Sequence, residues 1–385
     1  FGRLPIGWLQ LTHNRTRFFA ALAGVAFSNI LIFMQLGFLG ALLESVALPY
    51  RMMAADIVIQ ASDANTLQDG SPLPRQRMYE AMAVAGVADA TAVYFNKLDW
   101  KQADGTVRTL DVFGIDPARR VFLSPQINAA REALKLSDTA LIDRRTRNVP
   151  QALFAELDRG VPFTFEANGQ RTLTVVGTFE IGGGFSADGY LIVSDQTFLR
   201  LFRQRQPGAP NLVFLKLAPD ASPGVVMERL RQAFSNHADI APRTLAAATA
   251  RDQNFQTTQK PVGLIFGFGV FIGILVGIII AYQVLSTDVA DHLREYATFK
   301  AMGYGRRFFL GIVFEQALIL AIFGFFPGIA ISLGLYAVVA AATGLPIAMT
   351  TARVSIVFFG TLLMCAISGA IATRRLARAN PADLF

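Results

Sequence analysis

The chain has three histidines, His13, His237 and His292, and no two of them stand at metal-ligand spacing. Zinc ligands recur a few residues apart because one turn must present both to the same ion, so no such site is expected. No G-x-x-x-x-G-K-[ST] sequence occurs, and with it is missing the loop of amide N–H groups that cradles nucleotide phosphates. Nor is there a G-x-S-x-G turn to raise a serine nucleophile. Cys365 is the single cysteine and lies in an apolar run, where packing is its expected role; an intrachain disulfide is impossible. Gly182-Gly183-Gly184 follows a strand-like run without opening a helix and reads as a flexible loop rather than a substrate or partner contact. Glu315 falls about two turns inside an apolar segment. A carboxylate there is either functional, or reaches the headgroups, or pairs with Arg306 or Arg307; one acid without a partner is a poor proton relay. The expectation is a non-catalytic chain with no cofactor and no metal of its own.

The elements that hold these residues follow from hydropathy. Apolar residues make up 53% of 385 and charged residues 16%, against roughly 25% charged in a soluble domain. Such a chain has ample apolar surface to bury, which excludes disorder. A membrane-spanning helix needs about 20 mostly apolar residues to cross ~30 Å of hydrocarbon. Residues 18–43, 261–285, 308–341 and 353–373 meet this, with Pro327 and Thr343-Gly344 punctuating the long third run. The first is too long for a signal-peptide core and is read as a retained anchor. The expected fold class is an α-helical membrane protein with four transmembrane helices and a large periplasmic α+β domain.

Charge supplies orientation. The net charge is +7. Ten basic residues flank the spans on one side: Arg3, Arg15, Arg17, Arg294, Lys300, Arg306, Arg307, Arg374, Arg375 and Arg378. The segment between spans three and four has only Arg353. The positive-inside rule then puts 1–17, 286–307 and 374–385 in the cytoplasm, and 44–260 and 342–352 outside. Residues 44–260 hold 24 basic and 23 acidic residues, so the excess charge sits on the flanks and a nucleic-acid partner is not expected.

Residues 44–260 are too many for a loop. Short β-rich runs, Asp56–Gln60, Tyr190–Val193 and Leu212–Leu217, accompany two hairpin signals at Asp104-Gly105 and Asn168-Gly169. Arg75–Val84 is helix-like, and Ser222-Pro223 opens a helix with Ser at the N-cap and Pro at N1. An α+β domain of two small subdomains is expected. Leu245–Lys260 reads as a polar helix; with an extension of span one through Glu44–Met53 it would form a stalk continuous with spans one and two.

Two patterns suggest contacts. Gly269, Gly273 and Gly277 recur every four residues and give span two a smooth face for close helix packing, within the chain or between copies. In 286–307, Val289, Leu293, Tyr296 and Lys300 follow helical spacing and Gly303 stops the helix, with Arg294 and Glu295 beside the stripe. A short amphipathic helix between two spans lies on the membrane, docks in another protein's groove, or merely connects.

That stretch, His292-Leu-Arg-Glu-Tyr-Ala-Thr-Phe-Lys-Ala-Met-Gly303, resembles the cytoplasmic "RE-x-A/G-x-x-K-A-x-G" segment of MacB/FtsX-type ABC transporter permeases. Arg374-Arg-Leu-Ala-Arg-Ala-Asn-Pro-Ala-Asp-Leu-Phe385 resembles their closing "NPA-D/E" signature. Leu4–Thr12 and Phe33–Phe38 look closest to the DevC branch. The resemblance implies a homodimer with two cytoplasmic ABC ATPase subunits, which bind ATP and Mg, a periplasmic adaptor and an outer-membrane channel. It implies mechanotransmission: ATP-driven movement of spans one and two works the periplasmic domain, and 286–307 is the coupling helix. Lipoprotein release, or FtsX-like regulation of a cell-wall hydrolase, are the alternatives it leaves open.

Overall fold

The computed structural model describes residues 6–102, 104–168 and 171–378. Leu4, Gly169 and the closing segment 379–385, all used above, lie outside the described residues. The chain forms two compact units: residues 1–40, 262–339 and 347–385, and residues 41–261 with 340–346.

Two helices open the chain, α1 (Ile6–His13) and α2 (Arg15–Arg51). The second unit then runs β1 (Ile57–Ala61), α3 (Gln76–Met82), β2 (Val87–Lys101), β3 (Val107–Ile115), α4 (Pro125–Ala130), β4 (Thr139–Asp143), α5 (Gln151–Asp158), β5 (Phe163–Ala167) and β6 (Arg171–Phe179). It continues with β7 (Gly189–Ser194), α6 (Asp195–Leu201), β8 (Leu212–Leu217), α7 (Pro223–Ala233), β9 (Ile240–Thr244) and α8 (Leu245–Thr258). Back in the first unit come α9 (Pro261–Asp291), α10 (Leu293–Ala301), α11 (Arg306–Thr343) and α12 (Thr351–Arg378).

The turn chemistry holds where it was expected. Gly105 has φ +83° between β2 and β3, and Asn168 has φ +51° at the end of β5. Both are left-handed positions that glycine and asparagine tolerate best. Strand β2 is long enough to serve two sheets. Its first part, Val87–Val93, pairs with β8, and Tyr94–Lys101 pairs with β3. One sheet runs β2-β8-β1-β9, all antiparallel. The other runs β3-β7-β4-β6-β5-β2 and closes through the β2–β3 pairing; we call it the barrel lobe. The two expected subdomains are these two sheets, joined by a shared strand instead of a linker.

Alternation sets the cores, since successive side chains of a strand face opposite ways. In the barrel lobe Leu98, Leu110, Val112, Leu191 and Val193 pack with Phe154 of α5 and Phe198 of α6. Their neighbours Phe95, Phe113 and Ile192 join a different core with Tyr50 and Leu67. In the second sheet Ile57, Ile59, Val213 and Leu215 pack under Met78 of α3 and Leu230 of α7. Ser222 and Pro223 start α7 as expected, although the Ser222 side chain makes no capping hydrogen bond.

Among the described residues four helices, α2, α9, α11 and α12, are long and apolar enough to cross a membrane. Each extends past the apolar run that marked it. Helix α2 continues through Glu44 to Arg51 and takes Pro49 into its last turn, and α11 passes Pro327 without ending. Gly344, with φ +63°, follows the end of α11. One expectation fails here. The polar helix α8 ends at Thr258, and Gln259-Lys260 separate it from Pro261 at the head of α9. Proline lacks the N–H that would continue α8 and has its φ preset for a first helical turn, so a new helix starts there.

Candidate functional site

The segment between α9 and α11 is where the sequence placed the strongest functional signal. Two of its features come out differently. Helix α9 runs on to Asp291, so Val289 belongs to the end of span two, and only residues from Leu293 form α10. The apolar stripe is not free. Val289 and Tyr296 are buried against Phe309, Ile312 and Val313 of α11, and Leu293 is half-buried. An amphipathic helix buries its apolar side on whatever apolar surface is nearest, and here that is the chain's own span three. The outward side of α10 carries exposed Glu295, with Met302 following. Gly303 stops the helix as expected, at φ +90°. Arg294 and Lys300 lie on the α10 backbone; their side chains are outside the described ones.

Helix α1 completes this cluster, and the sequence reading missed it. Gln10 is its centre. Its side-chain nitrogen donates to Glu295 Oε2 at 3.2 Å, and its oxygen accepts from Tyr296 Oη and from Gln316 Nε2, each at 3.2 Å. Gln316 also donates to Asp288 Oδ2. Gln10, Asp288, Tyr296 and Gln316 are buried. A buried polar network of this kind fixes one arrangement of its helices, because any other leaves groups unpaired. Glu315 neither stands alone nor shows a bond to Arg307: its Oε2 accepts the Gly7 N–H at 3.3 Å, at the first turn of α1. A negative charge is favourable at a helix N-terminus, where unpaired N–H groups point outward. A cavity of about 690 Å³ lies between α1, α10 and α11, with Leu9, Phe299, Ile312 and Glu315 in its lining.

The glycine face of α9 is a packing face, and its partner is α2 of the same chain. A methyl group at Gly273 would come within 2.8 Å of Ile32; at Gly269 it would meet Gln35, and at Gly277 Ser28. The Ser28 hydroxyl donates to the Gly273 carbonyl at 2.8 Å, and Phe38 stacks on Phe266. The pairs 28–277, 32–273 and 35–269 step in opposite directions, the register of antiparallel neighbours. Of the two partners the sequence left open for Gly269, Gly273 and Gly277, the face meets the one within the chain. Helix α2 is packed on other sides too. Gly324 and Gly328 of α11 admit Val25 and Asn29, and Thr361 of α12 donates to Asn29 at 2.6 Å. Cys365 is buried in an apolar cluster, as expected.

In the other unit, Gly182, Gly183 and Gly184 are buried, and the loop is hydrogen-bonded to the rest of the unit. Asp143 accepts the N–H groups of Gly182 (2.7 Å), Arg145 (3.0 Å) and Ile181 (3.1 Å). Burial still pushes the Asp143 carboxyl above the usual range, against these three bonds. Arg147 Nη2 donates to the Gly184 carbonyl at 2.6 Å. A Cβ at Gly184 would come within 2.9 Å of the Ser45 side chain on α2, so the loop needs a residue without one. Among the described residues no three His, Cys, Asp or Glu side chains gather as metal ligands would.

Comparison with known proteins gives two matches to family models. The MacB-like periplasmic core domain matches residues 18–233, and the FtsX-like permease C-terminal region matches residues 267–381. No curated protein matches the chain. Among solved structures, the periplasmic region of MacB from Actinobacillus actinomycetemcomitans is 12% identical with a TM-score of 0.34; the match covers 53% of this chain and 94% of that one. The extracellular domain of the noncanonic ABC-type transporter YknZ from Gram-positive bacteria is 12% identical with a TM-score of 0.32, covering 49% and 98%.

Proposed function

The chain belongs to the MacB/FtsX-type permeases of ABC transporters, multi-pass membrane proteins with a periplasmic domain, and on that premise we propose that it is the force-transmitting subunit of an exporter. Permeases of this family partner an ABC ATPase. In our reading that ATPase is a separate chain, holds the ATP and Mg, and docks on the α1–α10 cluster from the cytoplasm. The permease works as a homodimer with both termini inside. An adaptor and an outer-membrane channel then carry the cargo away, without a pore through the permease.

The observation that carries this reading is the continuity of α2. It is 37 residues long. At about 1.5 Å per residue it outreaches the ~30 Å hydrocarbon layer by several turns. A helix transmits displacement at its base to its tip, whereas a loop would absorb it. The α9 glycine register locks span two to the same rod, and the Gln10 network ties α10 to α11. Ser28 and Thr361, polar groups inside the spans, are engaged in helix packing, which suits glue between helices better than the lining of a hydrophilic path.

The test is to soften the rod. Two glycines inserted between Glu44 and Ser45 should leave the protein in the membrane with its ATPase bound and turning over, yet abolish export. Export at the wild-type rate in that variant would refute the mechanical role.

A further inference from the structure

Two buried carboxylates in the second unit lie on either side of a single pair of residues, Leu67-Gln68. On one side is Asp252 of α8, whose Oδ2 accepts the Leu67 N–H and the Tyr50 hydroxyl, each at 3.1 Å. Tyr50 is in the last turns of α2, so this one oxygen gathers both helices that lead to the spans. On the other side is Asp111 of β3, in the barrel lobe. Gln68 Nε2 donates to Asp111 Oδ2 at 3.2 Å and to the Ser186 hydroxyl at 3.0 Å. Ser186 closes the glycine loop whose Gly184 rests on Ser45 of α2. Tyr50, Leu67, Asp111 and Asp252 are all buried. Asp111 Oδ1 is buried with no hydrogen-bond partner among the described residues.

We propose that Leu67-Gln68 is a proton-responsive joint that fastens the ends of α2 and α8 to the barrel lobe. It closes when Asp111 and Asp252 are neutral and loosens when they are charged.

Burial favours the neutral acids, against the hydrogen bonds donated to them by Leu67, Tyr50, Gln256 and Gln68. A proton on Asp111 Oδ1 breaks no hydrogen bond and removes a buried charge. A proton on Asp252 Oδ1 requires only that Gln256 turn its amide, since Gln256 Nε2 is the donor to that oxygen. The surrounding groups are few. Lys97 of β2 faces Asp111 and donates to the Ser186 carbonyl at 2.7 Å, and Tyr190 of β7 lies close by, with Asp143 beyond it. Around Asp252 are Asp69, Tyr50 and Gln256; Arg243 acts on Tyr50 and on Arg251, which bonds Ala64 and Asn65. Lys97 favours the charged form of Asp111, but desolvation outweighs it. Burial lifts Asp111 to about 7 and Asp252 to about 6.

The sign of the pH dependence follows. An acid whose pKa is higher in the closed joint than in the opened one binds its proton more tightly when closed. Closure gains from this fully below the ordinary carboxylate value of about 3.9, and the gain is lost as pH rises through 6 and 7. The role of the joint in transport rests on the mechanical reading above; its existence does not. It can be measured on the resting permease without ATPase or cargo, so failure of one idea is distinguishable from failure of the other.

The experiment is hydrogen exchange of the full-length permease in nanodiscs between pH 5.5 and 8.5, with rates corrected for the intrinsic pH dependence of exchange. In the wild type, opening of peptides covering 62–72 and 180–188 should rise with pH, by up to about tenfold per unit for each titrating group. Peptides in α7 should not follow. Asp111→Asn and Asp252→Asn mimic the neutral acids, and each should flatten the profile, the double variant completely in 62–72; in 180–188 it leaves only the part due to Asp143, which holds the Ile181 and Gly182 N–H groups. Gln68→Ala should raise opening in 180–188 several-fold at every pH. Should Asp252→Asn fail to fold, Asp111→Asn and Gln68→Ala carry the test. A flat wild-type profile, an Asp111→Asn profile that matches wild type, or a Gln68→Ala variant with unchanged 180–188 overturns the joint.

Discussion

Gln10, Gly273 and Asp143 act at the scale of single contacts. Gln10 makes three side-chain hydrogen bonds to two other helices, and two of its partners, Tyr296 and Gln316, are buried. Removing it leaves the buried Tyr296 hydroxyl without its acceptor, at about 1–3 kcal/mol for a group stranded away from water, while Gln316 keeps its bond to Asp288. Gln10→Ala should therefore lower the melting temperature of the detergent-solubilised permease and weaken ATPase capture together. Gly273→Leu drives a side chain into Ile32 and the α2 backbone. Overpacking of this kind costs roughly 1–3 kcal/mol or more. Yield of folded protein should drop, while the dimer fraction among folded molecules, read by crosslinking in nanodiscs, should stay at the wild-type value. Asp143→Ala strands three backbone N–H groups and should expose the glycine loop to proteolysis between Ile181 and Ser186.

At the scale of elements, α10 is the piece we propose as the ATPase dock, and its inward stripe packs it on span three. Glu295 is on its exposed side. Glu295→Lys should preserve expression and the outer fold yet reduce ATPase capture at least tenfold, about 1.4 kcal/mol. Tyr296→Ala should reduce it too, by unseating the helix. Capture and export at wild-type levels in both would reduce α10 to a connector. The pattern of Leu293, Tyr296 and Gly303 made the helix legible in the sequence, but periodicity says which side is apolar and not what covers it. The same holds for Gly269, Gly273 and Gly277: the smooth face was legible, its partner was not. Hairpins with Asp-Gly and Asn-Gly turns were readable because those residues accept positive φ. Strand β4, Thr139–Asp143, and strand β9, Ile240–Thr244, were not, being five residues each with no such turn beside them. Helix α1 hid because its eight residues carry almost no polar–apolar periodicity. Asp111, Asp143 and Asp252 look like surface acids in the sequence; only tertiary packing buries them.

For the whole molecule, the reading is of a machine that passes movement from one side of a membrane to the other without passing cargo. Its orientation is testable first. A cysteine at Gln102 should react with an impermeant thiol reagent in intact spheroplasts and one at Lys300 should not, Cys365 being buried. The central claim is movement, and the most direct measurement is a distance. A spin label at Gln232, exposed on α7, reports the separation of the two outer domains in a reconstituted permease dimer with its ATPase. Trapping the ATPase with ATP should shift the label-to-label distance to a new population that disappears on ATP hydrolysis. One unchanged distance distribution through ATP binding and turnover would contradict the account.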